Sequence, residues 1–314
     1  MRVGLRPTCF VLIFFVLFVQ ASSSFASSRS TYIPYASGLT APMVLDAAHH
    51  QLFVAWTDMD RVEVLSTADY HLIYTISLPS PSSVDISPDG STVAIATSGA
   101  HILFFNTTNF AKTDDIVFRR SAQGVSQVLY IGNGNLMVRA EEGLSTGGGI
   151  TAIWDHTSNS FINVSDAISF YGPGPYYHSG PMARSGDYSR VIFGEPVSNG
   201  PVQIVDGNTG AVLKTLEFGG YIDSVAVNRD ASRYAVCASG ALTLLDASFN
   251  VVFHDGGCMG VTFSADGGTL YRDVFDSSNT YTQALNVTTF AKHNTTNLLS
   301  GASLGFGTSW KARR

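Results

Sequence analysis

The residues with chemical potential in this chain gather between positions 139 and 201. Arg139, Glu141 and Glu142 stand together, and Glu195 opens the segment "EPVSNGP". Between them, "FYGPGPYYHSGP" (170–181) sets Phe170, Tyr171, Tyr176, Tyr177 and His178 among Gly and Pro. Aromatic rings on a loop supply contact area at low entropic cost, and a Tyr hydroxyl suits a wet interface. The same rings would serve equally well to lid the end of a core. Arg139 with Glu141 and Glu142 reads more simply as a local salt bridge than as a ligand-facing cluster. Covalent and metal chemistry have no local signature. There is no G-x-S-x-G and no H-E-x-x-H. Of the scattered histidines only His49 and His50 are adjacent, and neighbours on a turn rarely converge on one ion. The Gly run at 147–149 lacks the G-x-x-x-x-G-K-[ST] frame of a phosphate loop. The candidates for ligand contact are therefore Tyr171, Tyr176, Tyr177, His178, Glu141, Glu142 and Glu195, with no catalytic residue, metal or cofactor expected.

The elements that must hold these residues are written as a repeat. "SPDGSTVA" (87–94), "SGDYSRVI" (185–192), "NRDASRYA" (228–235) and "SADGGTLY" (264–271) are variants of one phrase. Each has a polar turn centred on Asp with apolar runs on both sides, which is a strand–turn–strand unit. A second phrase is an apolar run closed by Ser66, Asn106, Asp155, Asp206, Asp246 or Asn286, at spacings of 40, 49, 51, 40 and 40. Small or polar residues follow, then another apolar run, giving a second hairpin. Six repeats of four short strands with a period near 40 predict an all-β propeller with four-stranded antiparallel blades, six-bladed or an incomplete seven.

The two long spacings locate the insertions. In an antiparallel blade the loops between strands two and three share an end with the connections between blades. "EEGLSTGGG" (141–149) falls between the second and third strands of repeat 3, "FYGPGPYYHSGP" precedes repeat 4, and "EPVSNGP" (195–201) joins the second and third strands of repeat 4. All three are expected on one face of neighbouring blades, where long loops on a rigid scaffold tend to bind.

Residues 1–26 read separately. Arg2 and Arg6, the apolar run "CFVLIFFVLFV" (9–19) and small residues at Ser24 and Ala26 describe a secretory signal peptide. The run is too short to span a bilayer, which needs about 20 residues. The expected organisation is leader 1–26, propeller 27–299 and an unmatched tail 300–314, with a mature chain beginning near Ser27 outside the cytoplasm. Without Arg2 and Arg6 the 18 basic residues fall to 16 against 24 acidic ones. An acidic chain with no basic cluster argues against nucleic acid and anionic lipid as partners. Cys237 and Cys258 remain, and an even count in an exported chain invites a disulfide. Cys237 also aligns with Ala55, Ala96 and Gly194, as a small core residue would, so both readings stay open. Sequons at Asn106, Asn163, Asn286 and Asn294 decide nothing, since Asn106 and Asn286 already serve as turn residues in the repeat.

The copy "VQIVDGNTGAVLKTLEFGGYIDSVAVNRDASRYAV" (202–236) resembles the YVTN-type β-propeller repeat family, and the resemblance extends over roughly residues 31–290. It implies a secreted or periplasmic scaffold, usually seven-bladed, whose architecture is shared by lactonases and quinoprotein dehydrogenase subunits. "TYIPY" (31–35) resembles the fourth strand of a blade. Two functions follow as expectations. The first is a non-catalytic scaffold binding a protein, peptide or glycan through the loop-rich face. The second is a lactonase-like hydrolase, which requires at least two of His178, Glu141, Glu142, Glu195 and Asp223 to converge at the mouth of a central channel.

Overall fold

A computed structural model describes residues 42–119, 124–141, 149–166, 181–194, 200–276 and 279–294. Blade 1 comprises β1 (Met43–Asp46), β2 (Gln51–Trp56), β3 (Arg61–Ser66) and β4 (Leu72–Ser77). Blade 2 has β5 (Pro81–Ile86), β6 (Thr92–Thr97), β7 (His101–Asn106) and β8 (Lys112–Val117). Blade 3 has β9 (Val125–Tyr130), β10 (Leu136–Glu141), β11 (Gly149–Asp155) and β12 (Ser160–Asp166). Blade 4 follows with β13 (Met182–Arg184), β14 (Arg190–Gly194), β15 (Pro201–Asp206) and β16 (Val212–Glu217). Blade 5 is β17 (Ile222–Val227), β18 (Arg233–Ala238), β19 (Ala241–Asp246) and β20 (Val251–Gly256). Blade 6 is β21 (Gly260–Phe263), β22 (Thr269–Asp276), β23 (Asn279–Asn286) and β24 (Lys292–Asn294). Each blade is one antiparallel sheet with its strands in chain order, so the chain is a β-propeller with six blades among the described residues.

In blades 2, 4, 5 and 6 the first hairpin is closed by the repeated phrase itself. In blade 2 the Ser87 hydroxyl donates to Asp89 (2.6 Å), the Ser91 amide donates to the same carboxylate (3.0 Å), and Ser87 Oγ accepts from the Thr92 amide (3.0 Å). Ser185 and Asp187 repeat this in blade 4, Asn228 and Asp230 in blade 5, and Ser264 and Asp266 in blade 6. The Asp thus supplies a turn that the backbone alone would leave half-bonded. The outer hairpins use the closing residue of the second phrase. Asn106 accepts from the amides of Thr108 and Asn109, and Asp206 from those of Asn208 and Thr209. Their left-handed position is Gly210 in blade 4 and Asn159 in blade 3 but Tyr70, Phe110, Phe249 and Phe290 in blades 1, 2, 5 and 6, with φ between 51° and 70°. A bulky residue is strained there. Three of those rings find contacts: Phe110 stacks on Tyr74 at 4.7 Å, Phe290 on Phe253 at 5.1 Å, and Phe249 tilts against Tyr234 at 5.4 Å.

The core lies in the seams between blades. Val84 and Ile86 of blade 2 pack on Phe53, Ala55, Val62 and Val64 of blade 1. Val225 and Val227 of blade 5 repeat this against Ile192, Val202 and Ile204 of blade 4. First strands pack in succession, β1 on β5, β5 on β9, β9 on β13, β13 on β17 and β17 on β21. No comparable packing of β21 on β1 occurs among the described residues. Polar staples cross several seams: Ser83 Oγ accepts from the Val128 amide and Ser224 Oγ from the Val261 amide, both at 3.2 Å. In the last seam Cys237 and Cys258, both fully buried, form a disulfide with Cα atoms 5.4 Å apart. The boundaries expected at 26 and 299 lie outside the described residues, among which no helix is long and apolar enough to cross a membrane.

Candidate functional site

Strand order fixes which segments share an end. Turns within the two hairpins of a blade lie at one end, and the links from strand two to three and from blade to blade lie at the other. The three insertions leave and rejoin the scaffold at the second end of blades 3 and 4. Their anchors are Glu141 and Gly149, Asp166 and Met182, and Gly194 and Pro201. Tyr171, Tyr176, Tyr177, His178, Glu142 and Glu195 themselves lie outside the described residues, as does the side chain of Glu141.

Beneath these anchors blade 3 departs from its siblings. Gln127, Arg139 and Thr151 are register partners across β9, β10 and β11, and all three are buried. The matching places on the second and third strands are Ala55 and Val62 in blade 1, Ala96 and Ile102 in blade 2, and Cys237 and Leu242 in blade 5. Arg139 is 1% exposed, with its guanidinium 5.6 Å from the centroid of the Phe193 ring of blade 4. The arginine is thus a buried cation in the seam of blades 3 and 4. A desolvated cation on an aromatic face is held by the ring quadrupole. Blade 6 makes the one similar exchange among the described blades, Asp273 beside Thr282, whose hydroxyl donates to the carboxylate at 3.0 Å. Of the five groups from which a hydrolase would need at least two, Asp223 alone has a described side chain. It is exposed, and its Oδ2 accepts weakly from the Gly240 amide at 3.4 Å.

The opposite end holds a cluster that sequence reading missed. Asp85, on β5, accepts from the Tyr130 amide of blade 3 (2.7 Å) and pairs with Arg184 of blade 4 (Nη2 to Oδ1, 3.0 Å). The Arg184 guanidinium lies 3.9 Å from the Tyr188 ring centroid. Burial alone would lower the Arg184 pKa, but the Asp85 carboxylate prevails and holds it above its ordinary value. Burial, then the charge of Asp85, pushes the Tyr130 hydroxyl far above the ordinary tyrosine range, so it stays neutral. The signal was present in the aligned repeats. Arg184 occupies the place of Ile86, Tyr130, Val227 and Phe263, and Asp85 that of Leu129, Ala183 and Ala226. A lone charge of each sign at apolar repeat positions predicts a pair. This cluster joins blades 2, 3 and 4 and presents no open nucleophile or acid. Among the described residues no group of three or more His, Cys, Asp or Glu is placed to hold a metal ion.

No protein-family model and no curated protein matches the chain. Among solved structures it is similar to a chain of Kuenenia stuttgartiensis hydrazine synthase, at 16% identity and a TM-score of 0.61, covering 80% of this chain and 84% of that one. At that identity the likeness carries the fold and no chemistry.

Proposed function

We propose that this chain is an exported, non-catalytic propeller of the YVTN-like kind that binds a protein, peptide or glycan through the face bearing 141–149, 170–181 and 195–201. The observation that carries the reading is the shared end of the three insertion anchors on adjacent blades. Elsewhere the same link is minimal, as in the Ser239–Gly240 turn of blade 5. Extra length concentrated on two neighbouring blades of an otherwise economical repeat is the pattern of a binding face on a rigid scaffold. Tyr171, Tyr176, Tyr177 and His178 supply its aromatic contact and Glu141, Glu142 and Glu195 its charge. Export rests on the leader-like composition of residues 1–26. The test is capture from the producing organism's extracytoplasmic fraction, with the chain from Ser27 as bait. A second bait has 142–148 and 195–199 shortened to two-residue turns and Tyr171, Tyr176, Tyr177 and His178 replaced by Ala. A partner held by the first bait and lost by the second supports the face. A partner held equally by both removes it.

A further inference from the structure

Blade 3 buries two polar atoms in its seam with blade 2 and pairs neither of them. The Tyr130 hydroxyl and the Trp154 indole Nε1 are closed off from solvent and have no hydrogen-bond partner among the described residues. They stand in one register row, since Tyr130 pairs with Leu136 across β9 and β10, and Leu136 with Trp154 across β10 and β11. Both pack in one cluster with Ala94, Ile102 and Phe104 of blade 2. In the other blades the place of Tyr130 is held by Leu45, Ile86, Arg184, Val227 and Phe263. The place of Trp154 is held by Leu65, Phe105, Val205, Leu245 and Leu285. Arg184 is the one polar residue among these, and it is paired with Asp85. Phe263 and Phe105 put rings at the two places without a polar atom. Filling the seam therefore requires neither the hydroxyl nor the indole N–H.

We propose that the seam of blades 2 and 3 contains an internal water site whose protein ligands are Tyr130 Oη and Trp154 Nε1. A buried polar group left unbonded is strongly disfavoured, and native proteins answer it with a protein partner or an ordered water. Water fits the chemistry of this pair. The indole N–H is a donor only and needs an acceptor, which the water oxygen supplies. The Tyr130 hydroxyl can donate or accept, so it takes whichever bond the water has left. The two side chains also share one end of the seam. The Tyr130 ring lies nearly parallel to the His156 imidazole, with centroids 6.4 Å apart, and His156 follows Trp154 by two residues. His156 in turn meets Phe104 of blade 2 edge-on at 5.5 Å. An internal water normally makes about three hydrogen bonds. Asp85, Asp89 and Tyr188 act electrostatically on the Tyr130 hydroxyl, so polar groups border the site beyond its two ligands. The water thereby fixes the side chain of the residue whose amide secures Asp85.

The Trp154 indole proton reads the site directly. In the folded protein it is expected to show a nuclear Overhauser contact to a long-lived water, and the absence of that contact overturns the proposal. Tyr130→Phe removes the hydroxyl and keeps the ring, as Phe263 does in blade 6. If the hydroxyl holds a water, the variant loses a hydrogen bond, and the folding equilibrium constant from urea unfolding should fall about fivefold. If the hydroxyl has no partner, its removal relieves a buried unbonded group, and stability stays the same or rises. That second result overturns the proposal. In the variant the contact between indole and water should also weaken, because the water has lost one of its two protein ligands. A contact of undiminished strength with lowered stability gives the hydroxyl a separate partner and overturns the shared site.

Discussion

Arg184 of blade 4 reaches Asp85 of blade 2 across the inner strand of blade 3, with Nη2 3.0 Å from Oδ1 at a sequence separation of 99. The Tyr130 amide donates to the same carboxylate, so one side chain organises three consecutive blades. Truncating one partner leaves the other charge buried. Arg184→Met is expected to destabilise by about 3 kcal/mol, the low end for a broken buried pair, because its side chain keeps 17% exposure. Asp85→Ala should cost as much or more, since the Tyr130 amide also loses its acceptor. The double variant should cost clearly less than the sum of the singles. Urea unfolding of all four proteins tests this, and additive losses would show that the two side chains act independently.

The turn aspartates make stability depend on acid in a defined direction. The Asp89 pKa lies below its ordinary value, chiefly because the Ser87 hydroxyl donates to it and then because the Ser91 amide does. Asp230 and Asp266 are lowered by the hydroxyls of Ser232 and Ser264 first. At Asp187 burial works the other way, and the Ser185 hydroxyl and Ser189 amide outweigh it. A carboxyl depressed in the folded state contributes stability above its unfolded pKa, near 3.9 for Asp, and loses it as pH falls through the lower folded value. The unfolding midpoint in urea should therefore be flat on this account from pH 7 to about pH 5 and fall below about pH 4. Asp89→Asn should flatten the acid limb. An unchanged limb in that variant would assign the acid loss to other carboxylates.

Much of this scaffold was legible because its physics is local and repeated. Asp89, Asp187, Asp230 and Asp266 announce their hairpins through bonds to residues two positions away, and that spacing survives in the sequence. The end on which the insertions stand follows from strand order alone. Arg139 was noticed for standing where small residues recur, but its burial over Phe193 depends on the packing of two blades, which no local pattern encodes. Asp85 and Arg184 were missed for a related reason. Each looks like an ordinary polar residue until six repeats are aligned and the two exceptions are seen to have opposite sign. The ligand face stays a matter of composition, because Tyr171, Tyr176, Tyr177 and His178 belong to no repeat and their contacts cannot be borrowed from another copy.

Cys237 and Cys258 tie β18 to the segment that leads into β21. They are separated by 21 residues, and a loop of that size corresponds to about 3 kcal/mol of lost freedom in the unfolded chain. Blade 6 has its described interblade packing on blade 5 alone, so the bond matters most there. Cys237→Ala with Cys258→Ala should lower unfolding free energy by about that amount and loosen blade 6 before the rest. Hydrogen exchange resolved by blade checks it. Faster exchange confined to β21–β24 is the expected result, and uniform acceleration across all blades would give the disulfide a global role instead.

Tyr176 and Tyr177 separate the two accounts of the aromatic insertion. If the segment is a binding surface, its rings face solvent in the free protein. Replacing both by Ala should then leave stability within about 0.5 kcal/mol per residue, as for surface changes. Affinity for the captured partner should fall markedly, since tyrosines at binding hot spots are worth about 2 kcal/mol or more. If the segment instead lids the core, truncation should cost about 3–5 kcal/mol for a fully buried ring, by analogy with Phe→Ala. Thermal melts of the double variant decide between them before any partner is in hand. A large drop in melting temperature sinks the binding account. An unchanged melt sinks the lid and leaves the loss of capture as the remaining measurement.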